Sequence, residues 1–477
     1  MILVQNGLNC EYEMNIFIRL YFKSSDDGII FTDVSYKDSK ISAYCQINYN
    51  NNVYFGSFDL DYTITGDKKR DERYFSITCT RAFCDCASKI NKISLPWGVM
   101  CGVRPAKSVT KFYEEGMSYD EIKKHLKEAY GVSDKKCDLA IEVSKNEDAI
   151  LKDIKEKSAS IYIGIPFCPS RCLYCSFVST DIGVSGKYMD DFVRLLVKEM
   201  EKTAEVIKNL GISIENIYIG GGTPTTLDVD NLSLMLGGIN NNFDMSGIKE
   251  FTLEAGRPDT VTKEKLMCAK SFGVDRVSIN PQTTKDETLR RIGRKHTNKM
   301  FYDAYEIARN VGFKVINTDT IAGLPGEDSN DFKNTIDELI KLSPENITVH
   351  SMCVKRAASL RFSGNGLTES EIMNDMLDYA QTSLTGAGYT PYYMYRQKNI
   401  SGNLENVGYA KPGTSSFYNV NIMEEAQTII ALGGGGTSKI VTNNKIERIC
   451  NFKDPLEYIK GFDEILKRKE EIEKLLS

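Results

Sequence analysis

From Ser160 to about residue 352, short apolar runs alternate with longer amphipathic stretches. The runs are SIYIGIPF, NIYIGGG, EFTLEAG, RVSINPQ, KVINTDTIAG and NITVHSM, and the segments between them include KYMDDFVRLLVKEMEKTAEVIKNLG and DSNDFKNTIDELIKLS. Runs of this length read as buried strands, and each intervening segment can form a helix. Regular strand–helix alternation predicts a parallel β/α architecture, and six units predict a partial, TIM-like (β/α)6 barrel. In such a fold the reactive residues stand at the C-terminal ends of the strands.

The flanks have a different texture. Residues 1–80 carry short runs such as NIFIRLYF and NNVYFGSFDLDYTI, punctuated by Asn, Gly and Asp, and read as β-rich. Residues 81–157 read as helical: SYDEIKKHLKEAYG has helical spacing and a glycine stop, and SDKKCDLAIEVSKNEDAILKDI begins with Ser133 as a cap. The expected division is therefore a small N-terminal α+β domain over 1–157, the barrel core over 158–369, and a mostly helical C-terminal module over 370–477 that completes the substrate cleft.

A length of 477 residues, 41% hydrophobic and 26% charged, fits an ordinary globular protein of more than one domain. The net charge of -5 argues against a partner made of duplex nucleic acid. No signal peptide or membrane span is legible, so a cytoplasmic monomer is expected. In that compartment the thirteen cysteines are expected to be reduced thiols or metal ligands.

The candidate chemistry lies directly after the first barrel strand. IGIPFCPSRCLYCSF sets Cys168, Cys172 and Cys175 in a C-x3-C-x2-C loop. Three thiolates can converge on one metal centre while lacking the fourth ligand of a closed zinc or ferredoxin site. An iron–sulfur cluster held this way keeps one iron open to a chelating ligand. Chance proximity, or zinc with a remote fourth ligand, is the alternative reading. GGGTPT ends the second strand, where glycines permit close approach of a ligand to the backbone, and Glu254 ends the third. An acid ending an apolar barrel strand faces the site or must be paired.

The cysteine loop, with Tyr174 before its third thiol, and GGGTPT one β/α unit later resemble the two signatures of the radical S-adenosylmethionine (SAM) superfamily. IYIGIPFC, with Tyr162 six residues before the first cysteine, resembles the oxygen-independent coproporphyrinogen III dehydrogenase family and its heme-chaperone relatives. LPWGVMCGVRPAKSV, YRQKNISGNLENVGYAKPG and MEEAQTIIALGGG resemble its HemZ-type subgroup. The resemblance implies a 4Fe–4S cluster on Cys168, Cys172 and Cys175, with SAM chelating the open iron. It implies contacts to that SAM from Tyr162, Gly221 and Glu254. Contacts to a second SAM are implied from Tyr174, Gly222, Thr223, Gln282, Arg294 and Asp319. An external electron, from a donor such as flavodoxin or ferredoxin, would split SAM to methionine and a 5′-deoxyadenosyl radical. The implied reaction converts coproporphyrinogen III to protoporphyrinogen IX. The sequence departs from the dehydrogenase at Phe177, where the family's fourth cysteine would stand, and heme-chaperone relatives lack that cysteine too. Heme delivery, or radical modification or ring opening of heme, is the competing expectation, so the tetrapyrrole partner is coproporphyrinogen III or heme.

Simpler roles exist for several of these residues: Asp319 can cap a turn, Arg294 can be a solvated helix residue, and Gln282 can merely end its strand. A substrate rich in carboxylates calls for cations, with Arg396 the first candidate and Arg104, Arg257 and Arg356 the others. ALGGGGTSK lacks the ending of a phosphate loop and reads as a turn or a close backbone approach. His125, His296 and His350 are too scattered for a metal site.

Overall fold

The computed structural model describes residues 1–177, 179–353, 370–397, 403–442 and 445–477. They form two compact units: Met1–Ser144, Glu369–Asp375 and Tyr395–Glu405 make one, and Lys145–Thr368, Met376–Met394 and Asn406–Ser477 the other.

The first unit is built on a four-stranded sheet of β1 (Ile2–Asn6), β2 (Gly28–Lys37), β3 (Lys40–Tyr49) and β4 (Asn52–Asp61), in that order. β1 runs parallel to β2, and the others pair antiparallel. Along β3, Ile41, Ala43, Cys45 and Ile47 alternate inward, the period expected of a sheet covered on one face. Helix α2 (Lys68–Ser88) covers that face, its first turn capped by the Asp67 side chain. The run NIFIRLYF, expected as a strand, lies instead in helix α1 (Glu11–Tyr21). Met14, Phe17, Ile18 and Tyr21 recur at helical spacing and are the buried residues of α1, so the 3.6-residue period overrides the strand propensity of the aromatic and β-branched side chains. Helices α3 (Pro105–Glu114), α4 (Tyr119–His125) and α5 (Asp134–Leu151) follow. α4 opens on a Ser118–Glu121 capping box and passes through a π turn that stops at Gly131 in the left-handed region.

The second unit holds the barrel. Strands β5 (Ser158–Ile165), β8 (Ser213–Gly221), β9 (Glu250–Glu254), β10 (Arg276–Ser278), β11 (Val315–Ala322) and β12 (Asn346–Ser351) are parallel and adjacent in chain order. Between β5 and β8 the chain forms two short parallel strands, β6 (Phe167–Cys168) and β7 (Thr180–Asp181), a turn α6 (Ile182–Ser185) and the long helix α7 (Met189–Leu210). Helices α8 (Val229–Asn242), α9 (Lys263–Ser271), α10 (Asp286–Arg291), α11 (Asn298–Val311) and α12 (Ser329–Leu342) complete the β/α alternation. The strand order is that of a six-stranded partial barrel.

After residue 370 the chain mixes helices and strands: α13 (Ser370–Gly386), β13 (Thr390–Arg396), β14 (Glu405–Ala410), α14 (Phe417–Glu424), β15 (Thr428–Gly433), β16 (Thr437–Thr442), β17 (Lys445–Cys450), α15 (Pro455–Lys460) and α16 (Phe462–Leu476). These strands flank the barrel on both edges. β14 joins β12 antiparallel, and β15 joins β5 in parallel register, giving an eleven-stranded sheet. Among the described residues no helix is long and apolar enough to cross a membrane.

Candidate functional site

The cysteine loop leaves the end of β5 and is pinned where it starts and where it returns. Thr180 N donates to Pro166 O at 2.8 Å, closing the loop at its base. The end of β8 is stitched to the same edge: Gly222 N donates to Ile165 O at 2.7 Å and Thr223 N to Phe167 O at 2.8 Å. This is why the triplet must be glycine. Gly221 has φ +106°, and a Cβ on Gly222 would stand 2.6 Å from Phe167 O. Further along, Leu173 N donates to Ile292 O at 3.0 Å, which seats the middle of the loop on the turn after α10.

The three loop thiols are free and close enough to one another to interact electrostatically. Burial pushes the Cys168 thiol up, and it pushes Cys175 up to about 11, with the neighbouring thiols adding to both. Cys168 Sγ lies 3.4 Å from Thr223 Oγ1, and Cys172 Sγ accepts from Arg257 Nη1 at 3.6 Å. Among the described residues no three Cys, His, Asp or Glu side chains are close enough to grip a single ion. A cluster that takes one thiolate per iron spreads its ligand sulfurs wider than a single ion does, and a metal deprotonates thiols that burial would otherwise keep neutral. Three mutually near thiols on one loop, Cys168 and Cys172 buried and Cys175 half-buried, therefore fit a cluster with one open iron. Phe177 is 70% exposed and offers no fourth ligand.

Beside the loop, Glu254 ends β9. The Tyr218 hydroxyl donates to its Oε1, and the Gly221 amide also bonds it. Burial raises the Glu254 carboxyl from 4.5 to about 7 against the lowering effect of these two donors. The nearby Asp319 charge raises it further. Tyr162 faces Tyr218 across β5 and β8, and both rings stack with Tyr418 from α14, at 6.3 Å and 4.4 Å respectively. The three tyrosines, the glycine strand end and Glu254 thus form one wall.

A second wall comes from β10, β11 and β12. Asn280 Nδ2 and Asn317 Nδ2 each donate to an Asp319 oxygen at 2.8 Å, and Ser278 bridges the two asparagines. His350 Nε2 lies 3.7 Å from Asp319 Oδ2. Gln282 has φ +68°, and its amide donates to Asp319 O at 3.0 Å. Its side-chain oxygen is buried with no hydrogen-bond partner among the described residues. A non-glycine residue held in the left-handed region and an orphaned acceptor beside it suit a ligand that brings a donor. Arg294 is 4% exposed and bonds Tyr174 Oη, Gly256 O and Asn280 O at 2.8–3.0 Å, with His296 Nδ1 at 3.3 Å. Burial and the neighbouring Arg294 push His296 down to about 3, so it stays neutral. Arg294 is a brace between the cysteine loop and the strand ends, not a solvated helix residue.

The twelve residues that the resemblance assigns to the cluster and to SAM all fall in the barrel unit. The cations proposed for substrate carboxylates fare differently. Arg396 is 2% exposed in the first unit, donating to the carbonyls of Met100 and Gly102 with its guanidinium over Trp97. Arg257 is engaged by the cysteine loop and Asp259. Arg104 is the residue before the first turn of α3, and Arg356 lies outside the described residues. Tyr218, Tyr418, Asn280 and Asn317 are site residues that the sequence reading missed. The strands nevertheless signal three of them, through polar residues at alternate positions of otherwise apolar runs: Tyr218 and Gly220, Ser278 and Asn280, Asn317 and Asp319.

The glycine run of ALGGGGTSK is a close backbone approach: Gly434 N donates to Gly164 O at 2.9 Å at the end of β5.

The profile of the radical SAM superfamily matches residues 162–339. The oxygen-independent coproporphyrinogen-III oxidase-like protein HemZ of Bacillus subtilis is 39% identical over 436 residues, 86% of this chain and 86% of that one. The heme chaperone HemW of Bacillus subtilis is 36% identical over 197 residues, 41% of this chain and 51% of its own. The solved structure of coproporphyrinogen III oxidase (HemN) from Escherichia coli superposes with a TM-score of 0.53 at 20% identity, covering 67% of this chain and 72% of that one.

Proposed function

The chain belongs to the radical SAM superfamily, within the family of the HemZ-type coproporphyrinogen-III oxidase-like proteins, and from that premise we propose that it decarboxylates coproporphyrinogen III oxidatively without oxygen. Members of the superfamily use a 4Fe–4S cluster and SAM, and together these supply a one-electron bond scission that starts hydrogen abstraction. The observation that carries the reading is the pair of polar walls at the C-terminal strand ends, on Glu254 and on Asp319, beside the cysteine loop.

Cys168, Cys172 and Cys175 hold the cluster. The Gly220–Gly222 strand end and Glu254 take the amino acid and ribose parts of SAM, because the glycines let a ligand reach the backbone and the carboxylate accepts hydrogen bonds from it. Tyr162, Tyr218 and Tyr418 close the apolar side and exclude water from the reacting end. Tyr174, Gly222, Thr223, Gln282, Arg294 and Asp319 form the contact group for a second SAM, with the Gln282 oxygen as the open acceptor and Arg294 holding Tyr174 in place. In the proposed reaction the substrate's propionate would lose a hydrogen atom, and departure of carbon dioxide, with one electron passed to an external one-electron acceptor, would leave a vinyl group.

Heme binding and delivery is the second reading, favoured by Phe177 in place of a fourth cysteine. The test is an anaerobic incubation of reconstituted protein with SAM, reductant and either coproporphyrinogen III or heme, followed by mass spectrometry. A vinyl-bearing product with loss of carbon dioxide is expected. Stable heme binding with no vinyl product, or heme-dependent SAM cleavage with an altered macrocycle, would replace this reading.

A further inference from the structure

Arg257 follows Glu254 by three residues and is 4% exposed. One side of its guanidinium is fixed by Asp259, with Nε and Nη2 at 2.9 and 2.8 Å from the two carboxylate oxygens. The other side meets the cysteine loop: Nη1 donates to Ser170 O at 3.1 Å and to Cys172 Sγ at 3.6 Å, and Nη2 donates to Ser170 Oγ at 3.2 Å. Among the described residues, Arg294 bonds the same loop at the Tyr174 hydroxyl. Arg257 thus donates directly to the sulfur of a proposed cluster ligand, Cys172.

A cluster held by three thiolates is anionic, and reduction adds one more negative charge. A cation fixed nearby in a buried setting stabilises the reduced form more than the oxidised one, and an N–H donor to a ligand sulfur acts in the same direction. Asp259 works against this, since its carboxylate partly cancels the charge it orients. We propose that Arg257 is a positioning residue that raises the cluster's reduction potential through Cys172, with Asp259 setting how much of its charge the cluster feels. The inference rests on the assignment of Cys168, Cys172 and Cys175 to the cluster.

The two residues should act with opposite signs, which a merely structural brace would not do. The full-length protein is reconstituted anaerobically, its iron and sulfide are counted, and the cluster potential is titrated by electron paramagnetic resonance without substrate. Arg257→Gln is expected to make reduction about tenfold less favourable, a fall of about 59 mV for a one-electron couple. Asp259→Asn is expected to shift the potential upward, and Arg257→Lys, which keeps the charge, to stay near the parent value. If Arg257→Gln binds no cluster, the upward shift in Asp259→Asn still decides the matter. Unchanged potentials, or shifts of one sign in both variants of a cluster-bearing protein, overturn the role of Arg257 alone. A parent protein that takes up no cluster overturns the assignment of the thiols, and this inference with it.

Discussion

Glu254 concentrates the site's electrostatics in a single side chain. An acid whose folded pKa is raised holds more protons folded than unfolded between its ordinary value of 4.5 and about 7. Stability therefore falls as pH rises through that window, and the penalty is complete above it. Glu254→Gln keeps the shape and the acceptor for Tyr218 but removes the charge. Thermal melts across pH 5–8 are expected to show the variant gaining on the parent as pH rises, by up to about 3 kcal/mol. The same change should weaken SAM at least tenfold in equilibrium binding, most of all above pH 7, where the parent carboxylate is ionised. A variant that bound SAM as well as the parent at pH 8 would remove Glu254 from the ligand contacts. Gly222 makes a steric demand instead of a charged one. Gly222→Ala drives a methyl group toward the Phe167 and Ile165 carbonyls, at 2.6 and 2.9 Å, and must pull the end of β8 off the cysteine loop. Losses of about 1–3 kcal/mol in stability and of most SAM binding are expected, read by denaturant titration and calorimetry.

The barrel strands were legible because each is a short, nearly continuous apolar run, the signature of a strand buried on both faces. What those runs hid was the partner of each polar residue: alternation marks Asn280 and Asn317, but only the structure joins them to Asp319. Strand β15 was hidden for a different reason. TIIALG lies far along the chain from β5, and pairing between distant segments leaves no local mark. Its anchor is Glu199 on α7. This carboxylate is fully buried and meets Lys469 Nζ at 2.9 Å, Asn451 Nδ2 at 2.7 Å, Gly433 N at 2.8 Å and the Tyr458 hydroxyl. Four elements, α7, β15, α15 and α16, are tied at one point. Replacing one partner strands the other charge, so Glu199→Leu and Lys469→Met are each expected to lose about 3–5 kcal/mol in denaturant titrations. The double variant should recover part of that loss, because a buried pair exchanged for apolar residues of similar volume is often neutral. A double variant no more stable than the worse single one would mean that the remaining donors, not the charge pair, hold the junction.

Over the whole molecule, the main surprise is that the first unit is not one continuous stretch. A reader of the sequence closes a domain where the texture changes, near residue 157, whereas the chain supplies that unit again with Glu369–Asp375 and Tyr395–Glu405 after traversing the barrel. Two of the returning residues, Arg396 and Glu405, lie in its interior. Glu405 is 2% exposed and accepts from Lys136 Nζ at 2.7 Å and from Trp97 Nε1 at 2.6 Å, and Arg396 caps the carbonyls of Met100 and Gly102. No rule of spacing connects a glutamate to a lysine 269 positions earlier. Folding of the first unit is therefore coupled to synthesis of nearly the entire chain. A fragment of residues 1–157 contains every strand of the small sheet but lacks Glu405, the buried carboxylate 2.7 Å from Lys136 Nζ, and breaking a buried pair of this kind costs about 3–5 kcal/mol, comparable to the stability of a small domain. It is expected to be largely unfolded by circular dichroism and amide exchange. Within the full-length protein, Glu405→Ala should loosen amide protection in α5 and around Trp97 while leaving protection in the barrel strands β8 to β11 in place. A fragment that folds cooperatively on its own, or a Glu405→Ala variant with undisturbed exchange around Trp97, would show that the returning segments decorate this unit instead of completing it.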